Sequence, residues 1–190
     1  MTRILVMGPP GAGKGTQAAT VAGHYSIPAI STGDIFRANV REHTPLGELA
    51  QQYMDAGEYV PDSITNDMVR ERLAAPDCAR GFLLDGYPRT LDQVATLDKM
   101  LAETGQAIDV VLELHVDTEE LVRRLVRRAG IEQRADDTEA VIRRRQEVYA
   151  AETAPLLAEY EARALLVTVD GDGSVHKVAA RISEALGLHF

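Results

Sequence analysis

The sequence predicts an α/β fold, a parallel sheet of five strands with helices on both faces, in one domain over residues 1–190. Three observations predict it. Short apolar runs alternate with segments of helical periodicity along the whole chain. The first run, Ile4-Leu5-Val6-Met7, leads directly into a glycine-rich turn and then a helical segment. Polar segments also stand immediately after the apolar runs, where such sheets gather their ligands, beyond the carboxyl ends of the strands.

The elements follow in order. Arg3 to Met7 is the first strand, and Gln17 to Tyr25 the first helix. Ile27 to Ile30 is a short second strand, weakened by Pro28, which brings no N–H to a ladder. Ser31-Thr32-Gly33-Asp34 turns into a helix with hydroxyls suited to capping. Thr44-Pro45 reads as a cap with proline at the first helical position; that helix runs to about Ala56 and stops at Gly57. Pro61-Asp62-Ser63 begins another, to about Ala74. Gly81 to Leu84 is the third strand, Leu91 to Thr104 a helix ended by Gly105, and Ile108 to Val116 the fourth strand. From Thr118 a helix carries Leu121, Val122, Leu125 and Val126 on one face. A short break follows from Ala129 to Gln133. A long helix then starts near Asp137 and bends near Pro155. Leu165 to Val169 is the fifth strand and Ser174 to Leu186 the last helix.

The totals exclude several classes. The 190 residues, 45% hydrophobic and 26% charged, suit one globular core. A net charge of −9 argues against nucleic acid and anionic membranes as partners. There is no long apolar run and no signal-like start, so the expected location is the cytoplasm. The single cysteine, Cys78, excludes an internal disulfide and any cysteine-based zinc site. Lys14, Lys99 and Lys177 are the only lysines; the other 17 basic residues are arginines, eight of them between Arg123 and Arg145. A local arginine cluster on an acidic protein points to an anionic ligand for some of the eight and to solvated helix faces for the others.

The chemistry begins at Gly8-Pro9-Pro10-Gly11-Ala12-Gly13-Lys14-Gly15-Thr16. A polyphosphate needs bare backbone whose N–H groups point at its oxygens. Glycines allow that approach, a helix N-terminus adds its positive dipole end, and Lys14 adds a full charge. The generic phosphate loop ends in Lys followed by Ser or Thr; here Gly15 intervenes before Thr16. Asp85 ends the third strand, where enzymes with such a loop hold Mg²⁺ directly or through water, and it opens a rigid turn presenting Arg89. Arg145 has Val141 and Ile142 one turn before it and Val148 and Tyr149 one turn after, so it needs an anionic partner, either a structural Asp or Glu or a ligand phosphate. Arg127 points away from its helix's apolar stripe, and Arg143 and Arg144 read as surface residues.

Taken together, the segments resemble the adenylate kinase family in its short-lid variety, over nearly the whole chain. Gly8 to Thr16 resembles that family's phosphate loop, including the Lys-Gly-Thr ending. Ser31-Thr32-Gly33-Asp34-Ile35-Phe36-Arg37 resembles its monophosphate segment. Gly81-Phe82-Leu83-Leu84-Asp85-Gly86-Tyr87-Pro88-Arg89-Thr90 resembles its signature, and Arg134-Ala135-Asp136-Asp137 the end of its lid. The resemblance implies a P-loop NTPase-type core (1–30, 61–127 and 135–190), an AMP-binding segment at 31–60 and a short lid at 128–134. It implies reversible phosphoryl transfer from Mg-ATP to AMP, giving two ADP, by a monomer. Gly11, Ala12, Gly13, Lys14, Gly15 and Thr16 would bind ATP phosphates, Arg128 would cover ATP, and Gly173 would pass its backbone along the base. Thr32, Arg37, Glu58, Tyr59, Val60, Gly86, Tyr87, Pro88, Arg89 and Gln93 would form the AMP site, Glu58 to Val60 through their backbone along the base and Gln93 through its amide. Arg134 and Arg145 would bridge toward the AMP phosphate and the transferred group, so the catalytic set would be Lys14, Arg89, Arg128, Arg134 and Arg145. Arg124 is a further candidate ATP contact. Asp85 would hold Mg²⁺ through water, and the larger lid insertion with zinc-binding cysteines is missing.

Other readings remain open. A UMP/CMP kinase shares the fold, but those enzymes typically carry Ala where this chain has Thr32. A nucleotide-binding switch would need an Asn-Lys-x-Asp that is absent. A phosphate-loop kinase for a non-nucleotide alcohol is opposed by the Asp-Gly-Tyr-Pro-Arg segment.

Overall fold

A computed structural model describes residues 2–132 and 138–188. Five strands, β1 (Thr2–Met7), β2 (Ala29–Ser31), β3 (Gly81–Asp85), β4 (Val110–His115) and β5 (Leu166–Asp170), form one parallel sheet in the order β2-β3-β1-β4-β5. After β1 the chain fills one side of the sheet and then crosses to the other. β1 is therefore central, and the crevice at its carboxyl end lies where the winding reverses.

Strand alternation sorts the core into two layers. Ile4 and Val6 of β1 face α1 (Lys14–Tyr25) and α9 (Val175–Leu186), where Val21, Ala22, Val178 and Ile182 are buried. Leu5 and Met7 face α4 (Asp62–Leu73), α5 (Leu91–Ala102) and α8 (Pro155–Ala162), with Val69, Leu97, Leu156 and Tyr160. A small third cluster, Phe36, Ala50 and Val60, belongs to the hairpin of α2 (Thr32–Arg41) and α3 (Pro45–Ala56). The remaining helices are α6 (Thr118–Glu132) and α7 (Glu139–Val148). Ser31, Thr44, Thr90 and Ser174 each accept a backbone N–H three residues on, the capping bond their chemistry favours.

Several boundaries differ from the expected ones. α1 begins at Lys14, three residues early, because Gly13 acts as its cap. β2 starts after Pro28, whose carbonyl accepts the Leu83 N–H while its ring nitrogen has none to offer. β4 is shorter at both ends than expected. α6 continues through Glu132 where a break was expected from Ala129; a glycine inside a helix costs only about 1 kcal/mol relative to alanine. Val126, expected on the buried stripe, is 55% exposed. The long helix near Pro155 is two helices joined by a π-helical turn, Tyr149–Thr153, in which the Ala154 N–H reaches back to the Tyr149 carbonyl at 2.9 Å. A 3₁₀ turn, Pro76–Arg80, precedes β3 and had no counterpart in the sequence reading.

Candidate active site

The phosphate loop sits at the end of β1, pressed against β4. Gly8 has φ +141°, and a Cβ there would lie 2.6 Å from the Leu114 carbonyl oxygen, so the chain approaches more closely than any side chain allows. Gly13, at φ +90°, starts α1 with no capping side chain, so the N–H groups of the first turn stay turned toward the crevice. Lys14 Nζ folds back to donate to the carbonyls of Gly8 (2.7 Å) and Pro9 (3.1 Å). Gln146 of α7 donates to the Pro10 carbonyl at 2.9 Å, which ties that helix to the loop.

Two clefts meet at this loop. One is lined by the loop from Gly11 to Thr16 except Ala12, with Asp85 and Arg124. Ala12 instead buries its methyl in the core below. Asp85 Oδ2 lies 3.8 Å from the place a Cβ on Gly15 would take, so the carboxylate looks across the bare loop. The other cleft runs between the end of β3 and the α2–α3 hairpin. Thr32, Phe36, Glu58, Tyr59, Val60 and Gln93 line it, with Tyr149 and Thr153 at its far wall. Among the described residues, Lys14, Arg37, Arg89 and Arg145 are the cations that line both clefts.

Arg89 is held on several sides. Its backbone N–H donates to Gln93 Oε1 (2.7 Å), its Nε to the Gly86 carbonyl (2.8 Å), and its guanidinium carbon stands 4.8 Å from the Tyr59 ring centre. The Thr153 hydroxyl donates to its carbonyl at 3.0 Å. The Gly86 carbonyl also accepts from Thr32 Oγ1 at 2.9 Å. Gln93, 1% exposed, donates from Nε2 to Asp62 (2.6 Å), whose second oxygen accepts from Thr90 (2.7 Å). Asp62 can only accept and the Arg89 N–H can only donate, so the two fix which end of the Gln93 amide is which. Arg37 pairs with Asp34 on its own helix.

Nitrogen and oxygen groups on the far side of the loop order the segment after β5. Arg124 donates to the Gly171 carbonyl at 3.0 Å and to Glu120, holding that carboxyl below the usual range; Arg181 donates to the carbonyls of Asp170 and Asp172. Gln17, in the first turns of α1, donates to the Val175 carbonyl at 3.0 Å. Gly173 lies in this strapped segment, outside both clefts.

A profile of the adenylate kinase family matches residues 6–165. The chain belongs to the adenylate kinase family. It is 61% identical over 184 residues to an adenylate kinase of Nocardioides sp., covering 97% of this chain and 96% of that one. It is 57% identical over 186 residues to one from Kocuria rhizophila (98% and 99%), and 57% over 184 residues to one from Thermobifida fusca (97% of each). The reaction class is phosphoryl transfer, that of a nucleoside monophosphate kinase.

On the adenylate kinase frame the structure gathers most of the expected residues: the loop from Gly11 to Thr16 apart from Ala12, Thr32, Arg37, the Glu58–Val60 stretch, Gly86, Pro88, Arg89, Gln93 and Arg145 all line one or both clefts. Tyr87 is not among them; it is 2% exposed and its hydroxyl donates to Asn66 at 2.7 Å, on the side of α4. Burial, and then the Asp62 charge, raise its phenol. Arg134 and the Arg128 side chain lie outside the described residues. Arg144, read as a surface residue, is half-exposed yet pairs with Glu58 across to the α2–α3 hairpin at 2.6 Å, and that hydrogen bond raises its pKa. Asp62, Thr153 and the Tyr59 ring were not singled out from the sequence. Asp62 was visible as a start signal for α4, but nothing local joined it to Gln93.

Proposed function

We propose that this chain transfers the γ-phosphoryl group of ATP to AMP, reversibly, giving two ADP. The observation that carries this is the shared wall of cations: Lys14, Arg37, Arg89 and Arg145 stand where the two clefts meet. A donor and an acceptor phosphate placed in these clefts approach each other across positive charge in an otherwise acidic protein.

The mechanism follows from the chemistry of the acceptor. The nucleophile is a phosphate oxygen that is already anionic at neutral pH, so no base is needed. The bond from the γ-phosphorus to the β-bridging oxygen breaks as one to the AMP phosphate oxygen forms. What the protein supplies is alignment and charge neutralisation. The open first turn of α1 and Lys14 receive the ATP phosphates. Arg89, with Arg37, grips the AMP phosphate through paired N–H groups. Arg145 reaches both sides of the transfer. Thr32, the Glu58–Val60 backbone and the Gln93 amide receive the AMP base, and the strapped segment with Gly173 the ATP base. Arg128 and Arg134 take their ATP-covering and bridging roles from the family resemblance. By the same resemblance residues 31–60 and 128–134 would be the closing parts that exclude water.

Asp85 and Thr16 both line the donor cleft, and oxygen donors of this kind suit a hard divalent cation. Asp85 would hold Mg²⁺ through water, and the ion supplies further neutralisation of the phosphate oxygens. Among the described residues no group of three or more His, Cys, Asp and Glu is placed to hold a metal, and no helix is long and apolar enough to cross a membrane. We place the enzyme in the cytoplasm as a monomer acting on ATP, AMP and ADP.

The test is ADP formation with Mg-ATP and AMP, UMP, CMP, GMP or no acceptor. Turnover with AMP alone is expected. Turnover with UMP or CMP instead would overturn the adenine assignment of Thr32 and Gln93, and slow hydrolysis with every acceptor inert would overturn the transfer reading.

A further inference from the structure

Arg89 is anchored through its main chain to a residue that no phosphate contact would reveal. Thr153 lies in the π-helical turn between α7 and α8, is 5% exposed, and its hydroxyl meets two partners. It donates to the Arg89 carbonyl at 3.0 Å and stands 2.7 Å from the Tyr59 hydroxyl. The direction of the chain is fixed by counting protons. A carbonyl can only accept, so the one Thr153 proton goes to Arg89, and the Tyr59 phenol must then donate to Thr153 Oγ1. Tyr59 in turn lays its ring under the Arg89 guanidinium, 4.8 Å away. The contacts close a loop: Tyr59 hydroxyl to Thr153, Thr153 to the Arg89 backbone, Arg89 guanidinium to the Tyr59 ring.

A helical threonine ordinarily returns its hydroxyl to a carbonyl one turn back. Thr153 instead reaches residues 64 and 94 positions away in sequence, one in the turn between β3 and α5 and one following α3. With Nε bonded to Gly86, the two Nη groups are the part of the guanidinium left to grip a phosphate, and their direction depends on where the backbone and the ring hold the rest.

We propose that Thr153 is a positioning residue for Arg89, aiming its guanidinium at the acceptor phosphate through the directed pair Tyr59–Thr153. This rests on the reading that Arg89 grips the AMP phosphate. It also makes Tyr59 a side-chain contributor to the acceptor site, beyond the backbone role the family resemblance gave it.

The experiment measures KM for AMP at saturating Mg-ATP, KM for ATP at saturating AMP, kcat and Tm for Thr153→Val, Thr153→Ser, Tyr59→Phe and the double variant Thr153→Val/Tyr59→Phe. Tyr59→Phe keeps the ring and leaves the folded core intact, so it carries the test even where the valine fails to fold. Loss of one buried hydrogen bond sets the expected size, about fivefold to tenfold in KM for AMP. Thr153→Val and Tyr59→Phe should each show it, with KM for ATP unchanged. The double variant should be no worse than the worse single one, and Thr153→Ser should restore the wild-type value. An unchanged KM for AMP in Tyr59→Phe, multiplying effects in the double variant, or an equal rise in both KM values would overturn the proposal. Arg89→Lys measured alongside keeps the two readings apart. Near-normal turnover there removes Arg89 from the site; a crippled Arg89→Lys beside a normal Tyr59→Phe removes only the role of Thr153.

Discussion

Arg89 shows what one residue type contributes. A lysine in its place keeps a charge but loses the planar fork, the Nε bond to Gly86 and the flat contact with Tyr59. Arg89→Lys is expected to lower kcat/KM at least about a hundredfold, roughly 2.7 kcal/mol of transition-state stabilisation. Steady-state kinetics with AMP varied would check it. Thr32 makes a second case. It is 2% exposed and uses its proton on the Gly86 carbonyl, the same oxygen that holds Arg89 Nε. Thr32→Ala removes a hydroxyl from the acceptor cleft and one of two donors from that carbonyl. A raised KM for AMP or relaxed choice among nucleoside monophosphates is expected, and unchanged values for every acceptor would mean that adenine is read elsewhere. Residues such as Lys14 and Arg89 were legible because their neighbours in sequence, glycines before the one and Asp-Gly-Tyr-Pro before the other, state the local geometry. Asp62 and Thr153 were not, because what defines them is a partner 28 to 94 residues away. No local pattern of residues encodes such a pairing.

Among the elements, the α2–α3 hairpin is the one built for close approach. Gly47 lies in the first turn of α3, and its N–H is taken by the Thr44 cap. A Cβ there would fall 2.1 Å from the Asn39 carbonyl oxygen and 2.3 Å from its carbon, both backbone atoms of α2. No rotamer change relieves that overlap; the helices must separate. Gly47→Ala should therefore cost about 1–3 kcal/mol by overpacking, with a fall in Tm of roughly 2–4 °C per kcal/mol at this chain length. Because the hairpin forms one wall of the acceptor cleft, KM for AMP should rise while KM for ATP holds. A variant of unchanged Tm would mean that α3 lifts off α2 at no cost. The elements themselves were legible wherever a cap and a period coincided, as at Thr44-Pro45 and Ser174. They were misread where the chain departs from regular hydrogen bonding. The π-helical turn before Pro155 has the same apolar spacing as an α-helix, and Gly130 looks like a stop signal although α6 passes through it.

For the molecule as a whole, the sheet separates two apolar layers, one of which buries phenols. The layer of α4, α5 and α8 contains Tyr87 and Tyr160, and Tyr149 stands in the π-helical turn beside it. Among the described residues the Tyr149 and Tyr160 hydroxyls have no hydrogen-bond partner. Burial, foremost, pushes all three phenols well above their ordinary range; nearby carboxylates add to it, Asp62 for Tyr87, Glu113 for Tyr149 and Asp98 for Tyr160. A phenol whose pKa is raised by folding holds its proton more tightly in the native state than in the unfolded one. Its contribution to stability is complete below the unfolded value of ~10 and is lost as pH rises above it. Two such groups in one packed layer, with Tyr149 beside it, should make alkaline unfolding cooperative. Of the six tyrosines, Tyr87, Tyr149 and Tyr160 should not ionise in the native protein. Their tyrosinate absorbance should instead appear together with the loss of helical circular dichroism, in one transition above pH ~10. Replacing Tyr160 by phenylalanine should move that transition to higher pH, since the hydroxyl it removes makes no bond and would otherwise have to be exposed to ionise. If all six phenols titrate while the circular dichroism stays native, the layer admits water and hydroxide, and the buried hydroxyls are not what limits the fold at high pH.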